Sequence, residues 1–265
     1  YMLEKSYSKT YIDRIYDFYI SKSKKSESKI IDDYIELHQI ECGFLYETKL
    51  VYLILDEQLA VIKKPITEDK VTQKTMEQGS SNLYQIDHPF IPKIYGKINR
   101  NNHPVFEFIN GQSLAKIKSF EFSEETKYTI IFQLLSIFEY LHSKGFIYQN
   151  LKPENLLIDS NKNIVLINLN RMVKIENKDT KIMSNLSHIF LSPEIHSKDK
   201  SIKTDISIKS DIYSIGQMIY FILFEQIPND DKKKNLSMFE KGSKIQQLYN
   251  ICTNKKPEQR PSLKE

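Results

Sequence analysis

The periodicity of the apolar residues changes near position 110, and this change limits the possible folds more than any other feature of the sequence. Before that point, "LVYLIL" at 50–55 and "LAVIKK" at 59–64 flank a polar "DEQ", which predicts a β-hairpin. "PVFEFI" at 104–109 predicts a further strand. The first part of the chain is therefore expected to be rich in strands.

Beyond Gly111 the apolar spacing becomes helical. Apolar residues recur at helical intervals from Ile130 to Leu141, and Gly145 follows as a stop signal. A second, almost wholly apolar helix is predicted from Asp211 to Phe224. Strands that precede helices, with a join near 110, predict an α+β protein with a small β-rich lobe and a larger helical lobe.

The N-terminal segment has a different character from the rest of the chain. Its apolar spacing predicts an amphipathic helix over 3–20, which either packs on the domain or binds a partner, and "SKSKKSESK" at 21–29 is a polar linker. We expect the C-terminus to be truncated at Glu265. The predicted organisation is a helix and linker over 1–33 and one domain over 34–265, with lobes at about 34–109 and 110–265.

Charge and cysteine content restrict the partners and the compartment. The net charge of +4 is small and the charges are interleaved, so neither a nucleic-acid nor a membrane partner is expected. The run "DDKKK" at 230–234 is predicted to be a solvated loop. "MIYFILF" at 218–224 is far shorter than the roughly 18–20 residues of a spanning helix. Two distant cysteines, Cys42 and Cys252, suit a reducing compartment, so the expected location is the cytoplasm.

Four motifs occur in a fixed order along the second half of the chain. They are "LKPENLLI" at 151–158, "SPE" at 192–194, "SDIYSIG" at 210–216 and "EQRPS" at 258–262. In this order and spacing they resemble a protein kinase domain, over about 34–265. Lys152 resembles the loop of the Ser/Thr type rather than the Tyr type.

The resemblance places a glycine-rich phosphate loop at positions where only one of three glycines is present. The family pattern falls on Glu41, Gly43, Tyr46 and Thr48. Glycine lets the backbone approach phosphate closely, whereas a carboxylate repels phosphate and a tyrosine side chain obstructs it. The hairpin is therefore predicted to be structural rather than a phosphate clamp.

The nucleotide pocket implied by the resemblance is incomplete. The resemblance assigns Lys63, fifteen residues after Thr48, to the position of the phosphate-pairing lysine. Strand alternation points Lys63 to the opposite face from Lys64. Its glutamate partner falls on Gly79, unless an insertion brings Glu77 into register. The other implied pocket positions are Val61 in place of a smaller alanine, Phe106 at the gatekeeper, Glu107, Phe108 and Leu157.

The residues that the resemblance assigns to chemistry are replaced by neutral amides. Asn150 takes the place of the aspartate that accepts a proton, and loss of such a base costs about 10²–10⁴ in rate. Gln149 replaces an arginine that orders a phosphorylated loop. Asn168 takes the place of the metal-binding aspartate, and Mg²⁺ prefers carboxylate oxygens. Lys152 and Asn155 match the family.

The residues that the resemblance assigns to structure match it. Glu194 and Arg260 correspond to a buried ion pair, and Asp211 to the residue that holds the catalytic loop. The implied apolar stack consists of Leu83, Ile94, Tyr148 and Leu169. The losses are thus concentrated among the residues that perform chemistry.

The sequence therefore predicts a pseudokinase of the Ser/Thr type that acts as a scaffold or allosteric regulator in signalling. We expect weak ATP binding or none, no Mg²⁺ site, and other proteins as partners, such as an active kinase or a substrate protein. The alternative is a weakly active or unorthodox ATP-dependent Ser/Thr protein kinase.

Overall fold

The computed structural model describes residues 30–42, 46–66, 82–98, 103–117, 122–169, 172–176, 188–196 and 207–264. The predicted N-terminal helix and linker, Gly43, Glu77 and Gly79 lie outside these residues. The described residues divide between Asn110 and Gly111 into two compact units.

The first unit is a five-stranded antiparallel sheet with the strand order β1-β2-β3-β5-β4. Its hairpin between β2 and β3 confirms the prediction from "LVYLIL" and "LAVIKK", and Val51 lies opposite Ala60 in it. The strands are β1 (Tyr34–Cys42), β2 (Tyr46–Leu53), β3 (Gln58–Pro65), β4 (Ile94–Ile98) and β5 (His103–Glu107).

Strand alternation gives this sheet one apolar face, which forms the core of the unit. The side chains with no exposed surface there are Val51, Leu53, Ala60, Ile62 and Val105. The first described residues extend the same core. Ile30 forms a parallel bridge with Lys97 beside β4, and Ile31 is buried in the cluster.

The second unit is mainly helical, so the predicted α+β class with strands first and helices second is confirmed. Its helices are α1 (Glu124–Ser143), α2 (Pro193–His196), α3 (Ile208–Phe224), α4 (Lys232–Ser237) and α5 (Lys244–Cys252). Its strands are β6 (Gly111–Ser113), β7 (Phe146–Ile147), β8 (Leu156–Asp159), β9 (Ile164–Leu166) and β10 (Val173–Lys174). They form a three-stranded sheet in the order β6-β8-β9 and a separate β7–β10 pair.

Both predicted helices are present: α1 ends just before the predicted stop at Gly145, and α3 begins at Ile208, three residues before the predicted Asp211. The Ser123 side chain accepts a hydrogen bond from the Thr126 amide at the start of α1, and Gly145 follows the helix with a φ of 76°. α3 confirms the predicted apolar helix, since twelve of its seventeen residues are buried. It contacts both α1 and α5, which makes it the centre of this unit. Within the described ranges, no helix is long and apolar enough to cross a membrane.

The prediction that "DDKKK" forms a solvated loop was wrong for Lys232, Lys233 and Lys234, which lie on a helix, although all five residues except Lys232 are exposed. The Asp231 side chain accepts a hydrogen bond from the Lys233 amide and caps α4, which begins at Lys232. A carboxylate at the cap stabilises the first turn even where no apolar periodicity marks a helix. The lysines of this run therefore lie on a helix.

Gly216 lies where α3 packs closely against the end of α5. A Cβ atom built at Gly216 would lie 2.7 Å from Thr253 Cγ2 and 2.9 Å from Cys252 Cβ. We expect Gly216→Ala to lower the free energy of unfolding by up to about 2 kcal/mol, because overpacking costs about 1–3 kcal/mol and the higher helix propensity of alanine returns about 1 kcal/mol. Urea denaturation of Gly216→Ala and of Gly216→Ala/Thr253→Ser measures this. Equal losses in both variants would contradict a clash with Cγ2.

Candidate functional site

A buried carboxylate on α3 holds the loop that follows β7. Asp211 has no exposed surface, and its Oδ2 and Oδ1 accept hydrogen bonds from the amides of Tyr148 (2.8 Å) and Gln149 (2.9 Å). His142 Nε2 lies 3.0 Å from Oδ2. Several partners compensate for burying the carboxylate, which therefore fixes the backbone of the loop.

The loop adopts an uncommon backbone conformation at Gln149. Its φ is 62°, in the left-handed region that residues other than glycine and asparagine rarely occupy. The side chain is buried, and no described group bonds to its Nε2. Since the residue is neutral, it offers no charge to a phosphorylated segment, in contrast to the arginine that the resemblance places here.

Tyr148 is a core residue of the second unit. Its ring is buried and packs edge-on against Phe138 with centroids 5.7 Å apart, while its hydroxyl donates to the Ile167 carbonyl at 2.6 Å. Leu169, the other stack position in this unit, is also buried. In the first unit, Leu83 is buried and Ile94 is partly buried in β4.

Three asparagines form a chain of hydrogen bonds at the positions that the resemblance assigns to catalysis and metal. Asn155 Nδ2 donates to the Asn150 carbonyl at 2.6 Å, and Asn168 Nδ2 donates to Asn155 Oδ1 at 2.6 Å. Asn155 is 1% exposed, and Asn168 has a φ of 62°. The bond to Asn150 fixes the orientation of the Asn155 amide, so its Oδ1 faces a donor.

This donor set does not fit Mg²⁺. A magnesium site needs oxygen ligands, usually including a carboxylate, whereas Asn168 directs an N–H group at Asn155 Oδ1. Among the described residues there is no group of three His, Cys, Asp or Glu side chains that could hold a metal. Whether this position binds a metal stays a prediction from the replacement of the carboxylate by Asn168.

Neither neighbouring acid occupies the position of the missing base. Glu154 is exposed on the 3₁₀ turn Pro153–Asn155. Asp159 closes the turn between β8 and β9, where its Oδ1 accepts from the amides of Asn161 and Asn163. A carboxylate used in this way stabilises the turn.

Lys152 and Leu157 flank the asparagine chain in the second unit. Both side chains are partly buried, and the Lys152 carbonyl accepts the Asn155 amide at 2.9 Å. Leu157 lies in β8 opposite Val165 and Ser113.

The other implied pocket residues lie in the first unit. Lys63 is partly buried in β3 opposite Thr48, and Val61 lies between Leu50 and Phe106. Phe106 is buried, and Phe108 follows β5 with its side chain partly buried. The Glu107 carboxylate accepts a hydrogen bond from the Lys93 amide at 3.0 Å, which ties β5 to the chain before β4.

Arg260 and Glu194 form a buried, two-pronged ion pair. Nη1 and Nη2 of Arg260 lie 2.6 and 2.8 Å from the two carboxylate oxygens, and the arginine side chain has no exposed surface. Three carbonyl oxygens take its remaining bonds, those of Lys209, Asn254 and Lys255. Burial alone would raise the pKa of the Glu194 carboxyl, but the hydrogen bonds and charge of Arg260, together with hydrogen bonds from the Glu194 backbone and from Ser192, outweigh burial and lower that pKa.

A two-unit α+β fold, with a loop held by Asp211 and an ion pair between Glu194 and Arg260, defines a protein kinase domain. The family model for the protein kinase domain matches residues 46–265, and this chain belongs to the protein kinase family.

Comparison with curated proteins finds Ser/Thr kinases among the relatives. The chain is 29% identical over 259 residues to serine/threonine-protein kinase D of Synechocystis sp., covering 88% of this chain and 50% of that protein. It is 29% identical over 209 residues to maternal embryonic leucine zipper kinase of Xenopus laevis, covering 75% and 31%. The chain thus spans half or less of the length of these relatives.

Proposed function

We propose that this protein kinase domain is catalytically inactive and acts by binding other proteins, as a scaffold or allosteric regulator in signalling. The observation that carries the proposal is the hydrogen bond from Asn168 Nδ2 to Asn155 Oδ1. Two side chains that would share a cation in an active kinase satisfy each other instead. Asn150, at the position of the general base, has no useful basicity.

The pattern of intact and replaced residues supports the same proposal. The Glu194–Arg260 pair and the Asp211 bonds maintain the helical unit and the course of its loop. A domain with this framework offers a stable surface without the groups that position and neutralise a transferred phosphate. We propose an active kinase or a substrate protein as the partner. The two widely spaced cysteines support a cytoplasmic location.

Titration with ATP tests the proposal through thermal stability. A nucleotide present at 100 times its Kd stabilises a protein by about 2.7 kcal/mol, which raises Tm by about 5–10 °C for a domain of this size. We expect ATP with Mg²⁺ to raise Tm no more than ATP with EDTA, because the asparagine chain offers the metal no carboxylate. A rise of several degrees that requires Mg²⁺ would overturn the proposal. Asn150→Asp/Asn168→Asp is the matched variant with both carboxylates restored.

A slow Ser/Thr kinase is the alternative, and the names of the relatives together with Lys63 and Lys152 favour it. Transfer of radiolabel from the γ-phosphate of ATP to a generic protein substrate separates the two functions. If the domain is inactive, the unaltered chain and Lys63→Ala are expected to give the same background level of radiolabel transfer. Transfer above background that Lys63→Ala abolishes would establish the enzyme.

A further inference from the structure

The second unit contains a cavity of about 410 Å³ between α3, α4 and α5, a volume within the range of ligand pockets. One of its walls is apolar and is formed by Ile189, Leu191 and Pro193, from the segment that leads into α2. This wall suits aliphatic side chains, which would be removed from water on binding.

The lining of the cavity also includes tyrosine and amide side chains that hydrogen bonds hold in fixed positions. Tyr249 Oη donates to Gln217 Oε1 at 3.2 Å and accepts from Asn235 Nδ2 at 2.9 Å, while Gln217 Nε2 donates to Tyr213 Oη at 3.3 Å. Burial raises the pKa of Tyr249 to about 12 and raises that of Tyr213, so both phenols stay neutral. Tyr213 accepts in this network, which leaves its own hydroxyl proton to donate to a ligand.

Two lysines line the cavity, and neither forms an ion pair with a described residue. Lys232 Nζ donates to the Asn250 and Thr253 carbonyls at the end of α5, at 2.8 and 3.1 Å. Burial lowers the pKa of Lys232, and the positive charges of Arg260 and Lys255 act in the same direction. The ammonium group of Lys232 therefore lies among carbonyl dipoles and other cations, and it has no carboxylate partner among the described residues.

The charges of the cavity lining favour an anion. Lys232 and Lys255 are opposed by one carboxylate, Asp230, which is exposed and forms no ion pair with a described residue. A ligand carboxylate would gain charge-assisted hydrogen bonds from the ammonium groups and would supply the missing counter-charge.

We propose that this cavity binds an acidic side chain flanked by aliphatic residues in a segment of a partner protein. The carboxylate lies towards Lys232 and Lys255, and an aliphatic neighbour contacts the wall of Ile189, Leu191 and Pro193. The cavity contains none of the residues of the asparagine chain, so this inference does not depend on whether the domain transfers phosphate.

The test uses three capped tripeptides, acetyl-Leu-Glu-Leu-amide, acetyl-Leu-Gln-Leu-amide and acetyl-Leu-Lys-Leu-amide, without nucleotide. Each is titrated against the whole chain while the methyl resonances of Ile189 and Leu191 are followed by NMR. We expect the glutamate peptide to bind about tenfold or more tightly than the glutamine peptide, since a hydrogen bond to a charged group is the stronger one. The lysine peptide is expected to bind weakest. No binding, or equal affinity for the glutamate and glutamine peptides, would overturn the proposal.

Charge variants then locate the site. Lys255→Glu is expected to weaken the glutamate peptide about tenfold or more, whereas Asp230→Asn is expected to strengthen it by removing repulsion. Lys256→Glu is the matched control, because Lys256 is the exposed neighbour of Lys255 and does not line the cavity. Equal weakening by Lys255→Glu and Lys256→Glu, or no strengthening by Asp230→Asn, would contradict the site. The ATP and radiolabel measurements are separate, so failure here is distinct from failure of the proposed inactivity.

Discussion

Glu194→Gln is expected to lower the free energy of unfolding by about 3–5 kcal/mol, because it leaves the Arg260 charge buried without its partner. The arginine side chain has no exposed surface, and both of its terminal nitrogens bond to the Glu194 carboxylate. Carbonyl oxygens from three other residues satisfy further N–H groups but cannot neutralise the guanidinium. Urea denaturation monitored by circular dichroism measures the loss.

The same pair makes stability depend on pH in a defined direction. The pKa of Glu194 is held below 4.5, so the folded carboxyl binds its proton less readily than the unfolded one. The contribution of the pair is therefore complete only well above the pKa of the unfolded carboxyl, and it is lost as the pH falls through the folded pKa. Glu194→Gln should lack this part of the acid sensitivity.

Glu47→Gln is the matched control for both measurements. It removes a partly exposed partner of Lys49 on β2, and surface pairs of this kind contribute about 0–1 kcal/mol. If Glu194→Gln lowers the free energy of unfolding as little as Glu47→Gln does, the buried ion pair contributes no more to stability than a surface pair.

Asn168→Asp is expected to make the stability of the domain depend on Mg²⁺. Without metal, the new carboxylate faces Asn155 Oδ1, so a hydrogen bond is replaced by two opposed acceptors and stability falls by about 1–3 kcal/mol. Asn155 cannot turn its amide to compensate without losing its bond to the Asn150 carbonyl. Added Mg²⁺ binds both oxygens and restores the lost stability, measured as Tm with Mg²⁺ and with EDTA.

Asn161→Asp provides the comparison for this substitution. It makes the same change of charge at an exposed position in the turn between β8 and β9, away from the Asn155 amide. We expect its Tm to be independent of Mg²⁺. If Asn168→Asp and Asn161→Asp behave alike in EDTA, the hydrogen bond between the two asparagines does not contribute as proposed.

The main elements of the fold could be predicted from the sequence because their signals are local. The hairpin of β2 and β3 has apolar runs on both sides of a polar turn, and α3 is mostly apolar. Helix α4 was missed because its signal is a single capping carboxylate, Asp231, before a run of lysines. A run of charged residues predicts a solvated segment. Lys232 is nevertheless partly buried.

The site could be predicted only in part, since its geometry depends on residues far apart in sequence. The types of residue at 150, 155 and 168 were evident, but the bond between Asn155 and Asn168 joins positions 13 residues apart across two strands. It also requires a left-handed backbone at Asn168, which asparagine tolerates better than most residues. The cavity in the second unit combines residues from α3, α4 and α5, and no local signal indicates it.

The bonds that Asp211 accepts have a consequence for how this loop can diverge. They go to the backbone amides of Tyr148 and Gln149, and main-chain amides are present whatever side chain stands there. The course of the loop is thus specified from a helix more than sixty positions further along the chain, whereas its reactivity is specified by its own side chains. Substitutions in the loop can therefore change its reactivity while the bonds from its amides to Asp211 keep its course.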